Sequence, residues 1–466
     1  MDSGTPLTTD AADESPTTEI RESDSPATET PETDSSPRVD ADPDVPTTRP
    51  AVRRKTARRK RRRKPITTSL IVTHRWLSIV LGAVLVVVCT SGAILVYAPE
   101  LTRMTNADKL TSTPTDNPVT FGTAIASVKK ADPDFDAAYI SLKDGVYFVS
   151  SAQPGAGTWF VDAGSGKVNA HGDLNGGVLG FLVNLHDCGL TCEDYPGYIA
   201  WLASPSPIAD WGWYVSGMTW GAVILALSGL LLVFLAISGV IIWWPGLRRL
   251  RSRFRVRIGK GRFARDYDLH NIIGIVAAIP LLIWGLTGMN FETPGLAKTW
   301  YSATGGIAPP EDNYSMPPST GTGPMMSVDQ AIDAATARYP GSKATWVGMP
   351  SDATGFYSVD VLADGPDLWA HSATYHANRE VGVDSHDPTK IAVFNGESRT
   401  LSNTIIDDWA QPTLHYGVSV NAWWRLFWFV LGMAPLLLFL TGLSTWQFRL
   451  RTTRRRRAAR KTSAST

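Results

Sequence analysis

Charge is missing from four long stretches of this chain. Residues 214–244 and 270–291 hold no Asp, Glu, Lys or Arg, and residues 71–98 and 423–446 hold one Arg each, Arg75 and Arg425. Each stretch exceeds the roughly 20 residues needed to cross a hydrocarbon core, so four transmembrane helices are expected. Acid is missing from the short flanks. Residues 53–64 carry ten basic residues and no acid, residues 246–269 carry nine basic and two acidic, and the tail after 446 carries eight basic and none acidic. The longer intervening stretches are acidic: thirteen acids against six bases over 99–212, and fifteen against six over 291–422. Basic flanks stay inside, which predicts a multi-pass cell-membrane protein with both termini cytoplasmic and two outer domains. The net charge of +1 hides this segregation.

Large apolar side chains are nearly missing from the first fifty residues, which read as disorder. The basic block that completes this tail (1–64) is read as an anchor on anionic lipid, and no nucleic-acid partner is expected. The first apolar run begins too late, and is too long, for a cleaved signal peptide. Cysteine is scarce. Cys89 reads as a packing residue inside a span, and Cys188 with Cys192 reads as an outer disulfide, a metal or redox dithiol being the rival. A nucleotide loop, a catalytic triad, a zinc motif and a nicotinamide or flavin fingerprint are all missing. Any electron donor is therefore a separate cytoplasmic protein or a quinol.

What the chain does have is an internal repetition. His74 precedes Ser91-Gly92 by seventeen residues, and His270 precedes Thr287-Gly288 by seventeen. Each is followed by an outer domain (99–212 or 292–422), then by His186 or His415, then by a span ending in Ser238-Gly239 or Thr441-Gly442. The last intervals differ, fifty-two residues in the first half and twenty-six in the second. The excess carries the two outer cysteines and reads as a cap. In each outer domain an amphipathic helix, 121–130 or 327–338, precedes alternating strand-like runs, Gly145 to Ser150 or Phe356 to Val361. The fold expected is a membrane α-helical protein, four spans in two repeats, with two outer α+β domains. Residues 245–269 form its cytoplasmic loop and 447–466 its basic tail.

The repetition leaves two histidines at each membrane face, His74 and His270 inside, His186 and His415 outside. Neutral imidazole is a standard axial ligand of haem iron, so each pair is a candidate haem site. Small residues follow at i+4 and i+8: Ser78 and Gly82 after His74, Gly274 and Ala278 after His270. Such a bare face suits a macrocycle lying along a helix, although small residues also favour close helix packing. Arg75, Arg265 and Arg425 are candidate propionate partners. The remaining histidines, His171, His371, His376 and His386, read as surface residues.

His-Arg-Trp-Leu, Phe-Leu-Val-Asn-Leu-His and Ile-Ile-Trp-Trp-Pro, then Leu-His-Asn-Ile-Ile-Gly, Leu-Thr-Gly and Leu-His-Tyr-Gly, resemble the PepSY-associated transmembrane family over about residues 70–450. The outer units resemble PepSY domains, with Val161-Asp162-Ala163-Gly164-Ser165-Gly166-Lys167-Val168 similar to their strand-turn-strand ending. The family includes iron-regulated membrane proteins and ferric-siderophore reductases that bind haem through transmembrane histidines. The resemblance thus implies haem b at His74, His186, His270 and His415, and electron transfer to an outer iron(III) chelate. The rival reading is a haem-free PepSY regulator anchored in the membrane beside an envelope peptidase. No catalytic residue is assigned.

Overall fold

The computed structural model describes residues 65–208 and 217–463, apart from 246–247, 249–250, 252–253, 294, 309–314, 364–376, 378, 396–399, 411–412 and 418–420. The expectations for the tail over 1–64, for part of the basic loop and for His371 and His376 lie outside the described residues.

Among the described residues three helices are long and apolar enough to cross a membrane: Trp220–Trp243, Arg262–Glu292 and Ala422–Thr462. A fourth candidate is a pair bent by 64°, α1 (Pro65–Val80) and α2 (Gly82–Leu95). The break falls at Leu81-Gly82, and Gly is a common kink residue because it tolerates a disrupted ladder. Gly82 has no room for a side chain: a Cβ there would meet the Phe439 ring at 2.8 Å. The helix at 220 starts later than the apolar run because the Thr219 side chain accepts from Ala222 N–H and caps it. The helix at 262 starts earlier than the apolar run. Asp266 and Asp268, just before His270, are held by Ser444 and by Arg257, the latter at 2.7 Å.

Outside these helices stands one antiparallel sheet of eight strands in the order β4-β3-β2-β1-β5-β6-β7-β8. Strands β1 to β4 are Tyr139–Lys143, Val146–Ser150, Thr158–Asp162 and Val168–Gly172. Strands β5 to β8 are Lys343–Gly348, Phe356–Leu362, Arg379–Asp384 and Ile391–Asn395. Two four-stranded meanders meet edge to edge, Tyr139 opposite Gly348, Ile140 opposite Val347 and Ser141 opposite Trp346. Helices Phe121–Ala131 and Val328–Ala337 cover one face, and their Ala124, Val128, Ala331 and Ala335 close on Ile140, Val149, Val347 and Val359 in a single core. Asp329, in the first turn of the second helix, accepts from Gly122 N–H and the Thr120 hydroxyl of the first.

The two meanders use the same polar ties. Tyr147 and Tyr357 donate to the carbonyls of Val119 and Met326. Asp162 and Asp384 end β3 and β7, and each accepts a hydroxyl from the segment that leads into the covering helix, Thr113 or Ser319. Burial pushes the Asp162 pKa up, but hydrogen bonds from Ser165, Thr113 and Gly164 outweigh it and hold it at about 2. A depressed folded pKa means that this contribution is present above the ordinary value of about 3.9. It is lost as pH falls toward 2. We expect Asp162→Asn to destabilise the sheet by about 1–3 kcal/mol at neutral pH. The deficit relative to wild type should shrink below pH 4, which thermal unfolding of the detergent-solubilised protein followed across pH would read. An equal deficit at pH 7 and pH 2.5 would refute the assignment.

Candidate functional site

The four histidines are carried by different kinds of element. His74 is inside α1 and His270 is in the third turn of Arg262–Glu292, so neither sits at a helix end. His186 is the last residue of a separate short helix, Gly177–His186, which packs on α2. His415 lies in the loop before Ala422–Gly432. That loop is pinned by two indoles: Trp424 Nε1 donates to Thr413 O at 3.2 Å and Trp428 Nε1 to Leu414 O at 2.8 Å. Gly417, at φ +72°, lies so close to the Trp428 ring that a Cβ would come within 2.5 Å of it.

His186 and His415 come together, ring centres 6.2 Å apart and planes inclined by 40°. His74 is seated against Trp220–Trp243 and His270 against Ala434–Thr462. Each histidine is also seated on a Ser-Gly or Thr-Gly pair of its own half. His74 Nδ1 is 2.7 Å from Ser238 Oγ, and His415 Nδ1 is 2.7 Å from Thr287 Oγ1. His270 Nδ1 is 3.1 Å from both Thr441 Oγ1 and Leu438 O. His186 Nδ1 is 2.8 Å from Val88 O and 3.4 Å from Ser91 Oγ. The sequence marks these pairs only as repeat signposts. Their contact with the histidines is a property of the fold.

Among the described residues none of the four Nε2 atoms has a hydrogen-bond partner, so each is available to a metal. Metal–imidazole bonds of about 2 Å on either side of one ion put the two ring centres about 6 Å apart. The outer pair stands at that spacing. Among the described residues no group of three or more His, Cys, Asp or Glu could hold a bare ion. Two imidazoles alone suit a metal whose other positions a macrocycle fills, and by ring spacing His186 and His415 fit such a group.

Other predicted site residues fall differently. Gly82 takes the Phe439 ring, and a Cβ on Gly274 would be 3.6 Å from Leu438, so the bare faces go to helix packing here. The bend after Val80 also ends the straight face expected to run from His74 through Ser78 to Gly82; Ser78 turns back to donate to Arg75 O at 3.0 Å. Arg425 is buried and engaged. It pairs with both Glu100 oxygens, donates to Val96 O at 2.7 Å and lies over the Tyr97 ring at 4.8 Å. Sequence alone missed Glu100. Arg265 pairs with Asp266. Among the described residues Arg75 Nε and Arg425 Nε are both buried without a partner, but Arg425 is held through its two terminal nitrogens. His171 stacks on Trp159 at the surface.

Cys188 and Cys192 are bonded to each other. The fully buried Asn184 side chain threads this cap, donating to the carbonyls of Cys192, Tyr195 and Pro196 and accepting from Cys192 N–H.

The chain belongs to the PepSY-associated TM region family, whose model matches residues 72–449. No curated protein sequence matches it.

Two outcomes follow from this geometry. A Cβ on Gly92 would overlap the His186 ring, whereas one on Gly288 would sit 3.5 Å from His415 Cε1 in ordinary contact. Gly→Ala inside a helix ordinarily stabilises by about 0.5–1 kcal/mol. Gly288→Ala should therefore be neutral or stabilising, and Gly92→Ala should destabilise by about 1–3 kcal/mol through overpacking. Thermal unfolding of both variants decides it, and stabilisation by Gly92→Ala would contradict the seat. Thiol labelling of the denatured, unreduced chain should modify Cys89 alone. Labelling of all three cysteines would show the cap pair to be open.

Proposed function

We propose that the protein is a bacterial inner-membrane electron carrier that holds two b-type haems and passes electrons outward to an iron(III) chelate. In this reading the bent α1–α2 pair is one span, giving four spans in two repeats with both termini cytoplasmic. The paired use of Tyr147 and Tyr357, and of Asp162 and Asp384, supports the repeats. The observation that carries the function is the outer histidine pair at 6.2 Å with each Nδ1 already occupied.

His74 and His270 would hold the inner haem, His186 and His415 the outer one. When bound, haem supplies a one-electron iron couple. The chain does the rest. The apolar helices keep water from the ligand nitrogens, and the fixed rings hold the two sites at set depths. Arg75, with its unpartnered buried Nε, is the cation available to an inner propionate. Arg425 is committed to Glu100 and instead ties the outer end of Ala422–Gly432 to the first half. One electron from a cytoplasmic or quinol donor converts the outer iron(III) chelate to iron(II), which such chelators hold less tightly.

Absorption spectra of the purified protein, oxidised and then reduced, should show bis-histidine haem. The double variant His74→Ala/His270→Ala should keep about half of it with that character intact, the loss being confined to one pair. Reporter fusions at residues 150 and 340 should both report an outer location. A full haem complement with unchanged spectra in all four single His→Ala variants would overturn the ligand assignment. A colourless protein would favour the membrane-anchored regulator instead.

A further inference from the structure

The geometry points to Ser238 and Thr287 as positioning residues, each the sole Nδ1 anchor, among the described residues, of one histidine in its pair. Thr441 and Ser91 play the same part beside a backbone carbonyl that can replace them.

A hydroxyl has one proton to donate. All four of these hydroxyls already spend it on their own helices. Ser238 donates to Leu235 O at 3.3 Å, Ser91 to Val88 O at 2.7 Å, Thr287 to Ile283 O at 2.8 Å and Thr441 to Leu437 O at 2.7 Å. Toward the imidazole each hydroxyl can then only accept, and the carbonyls of Leu438 and Val88 can only accept. Val88 O and Leu438 O thus put the proton on Nδ1 of His186 and His270, and the same tautomer is assigned to His74 and His415 because Ser238 and Thr287 also bond their own helices, which leaves the lone pair on Nε2. An engaged Nδ1–H fixes ring orientation and raises the basicity of the ligating nitrogen.

The four seats are not equal. His74 Nδ1 meets Ser238 Oγ and His415 Nδ1 meets Thr287 Oγ1, with no carbonyl sharing either bond among the described residues. His270 keeps Leu438 O if Thr441 is lost, and His186 keeps Val88 O if Ser91 is lost. Each pair thus joins one ligand that depends on a hydroxyl to one with a backbone substitute. The tautomer argument stands on the chain alone; its redox consequence rests on the haem reading.

The experiment uses full-length protein in detergent, with and without haem, carrying Ser238→Ala, Ser238→Thr, Thr287→Val, Thr287→Ser, Thr441→Val or Ser91→Ala. Nitrogen-15 spectra of the haem-free histidines should report Nδ1–H tautomers in wild type. Ser238→Ala should release His74 alone and Thr287→Val His415 alone, while Thr441→Val and Ser91→Ala leave His270 and His186 unchanged. In the haem-loaded protein, Ser238→Ala and Thr287→Val should weaken retention at one site each by about 10–100-fold. Each should also raise that site's midpoint potential, and the Ser/Thr exchanges should restore both readings. Nε2–H tautomers in wild type, or equal effects from all four removals, would overturn the inference. A wild-type protein that shows the tautomers but binds no haem would instead defeat the proposed function and leave the seats standing.

Discussion

An imidazole placed among apolar helices must put its ring N–H somewhere, because no water is at hand and a lost partner costs more in hydrocarbon than at a surface. Helix backbones offer few acceptors, since their carbonyls are already bonded along the ladder. A Ser or Thr that returns its proton to its own helix turns that ladder outward and presents a hydroxyl oxygen. The four histidines meet this demand within their own halves, His74 with Ser238 and His415 with Thr287 through a hydroxyl, His186 with Val88 O beside Ser91, and His270 with Leu438 O and Thr441 together. The crossing of α1 with Trp220–Trp243, and of Arg262–Glu292 with Ala434–Thr462, is thereby keyed at particular heights, and Gly177–His186 is keyed to α2.

The two halves are then joined at three levels. Among the helices, Leu231 and Leu232 pack with Ala277, Leu281 and Leu431 in one apolar cluster. At one end of this bundle, Arg425 of the second half binds Glu100 and Val96 of the first. A buried cation left unpaired there would be costly, so the contact gives register more than it gives strength. Beyond it, β1 and β5 pair, with Tyr139 stacked on Trp346 at 5.6 Å. The pairing removes the two inner sheet edges, which would otherwise stand open to other chains.

Local pattern made much of this legible. The helices expected over 121–130 and 327–338 occur at Phe121–Ala131 and Val328–Ala337, because alternate turns bury Ala and Val against strands whose own alternation is equally plain. What local pattern could not carry was anything set by a distant partner. The face from His74 to Gly82 assumed an unbroken helix, and Phe439, hundreds of residues away, fills the place where the helix bends. Arg425 reads as free until Glu100 is beside it. The merging of two outer units into one sheet depends on strands about two hundred residues apart. Ser-Gly and Thr-Gly were visible as recurrent words, yet His186 and Ser91 are 95 residues apart and nothing local links them.

The extra length of the first half has a physical reason in the placement of its second histidine, His186. His415 is seven residues from the start of Ala422–Gly432, and two indoles of that helix hold its loop directly. His186 is thirty-four residues from the start of Trp220–Trp243, a span of chain too long to fix a ring by tether alone. The first half meets this with a compact cross-linked turn. Cys188 and Cys192 close it immediately after the histidine, Asn184 fills it from below, and Gly189 lets it press against Gly221 in the first turn of the span helix. A Cβ on Gly189 would come within 2.8 Å of the Gly221 backbone, so the contact needs both glycines. Covalent closure and a buried amide thus do for His186 what two tryptophans do for His415, and the outer pair is set from both sides although the two halves differ in length.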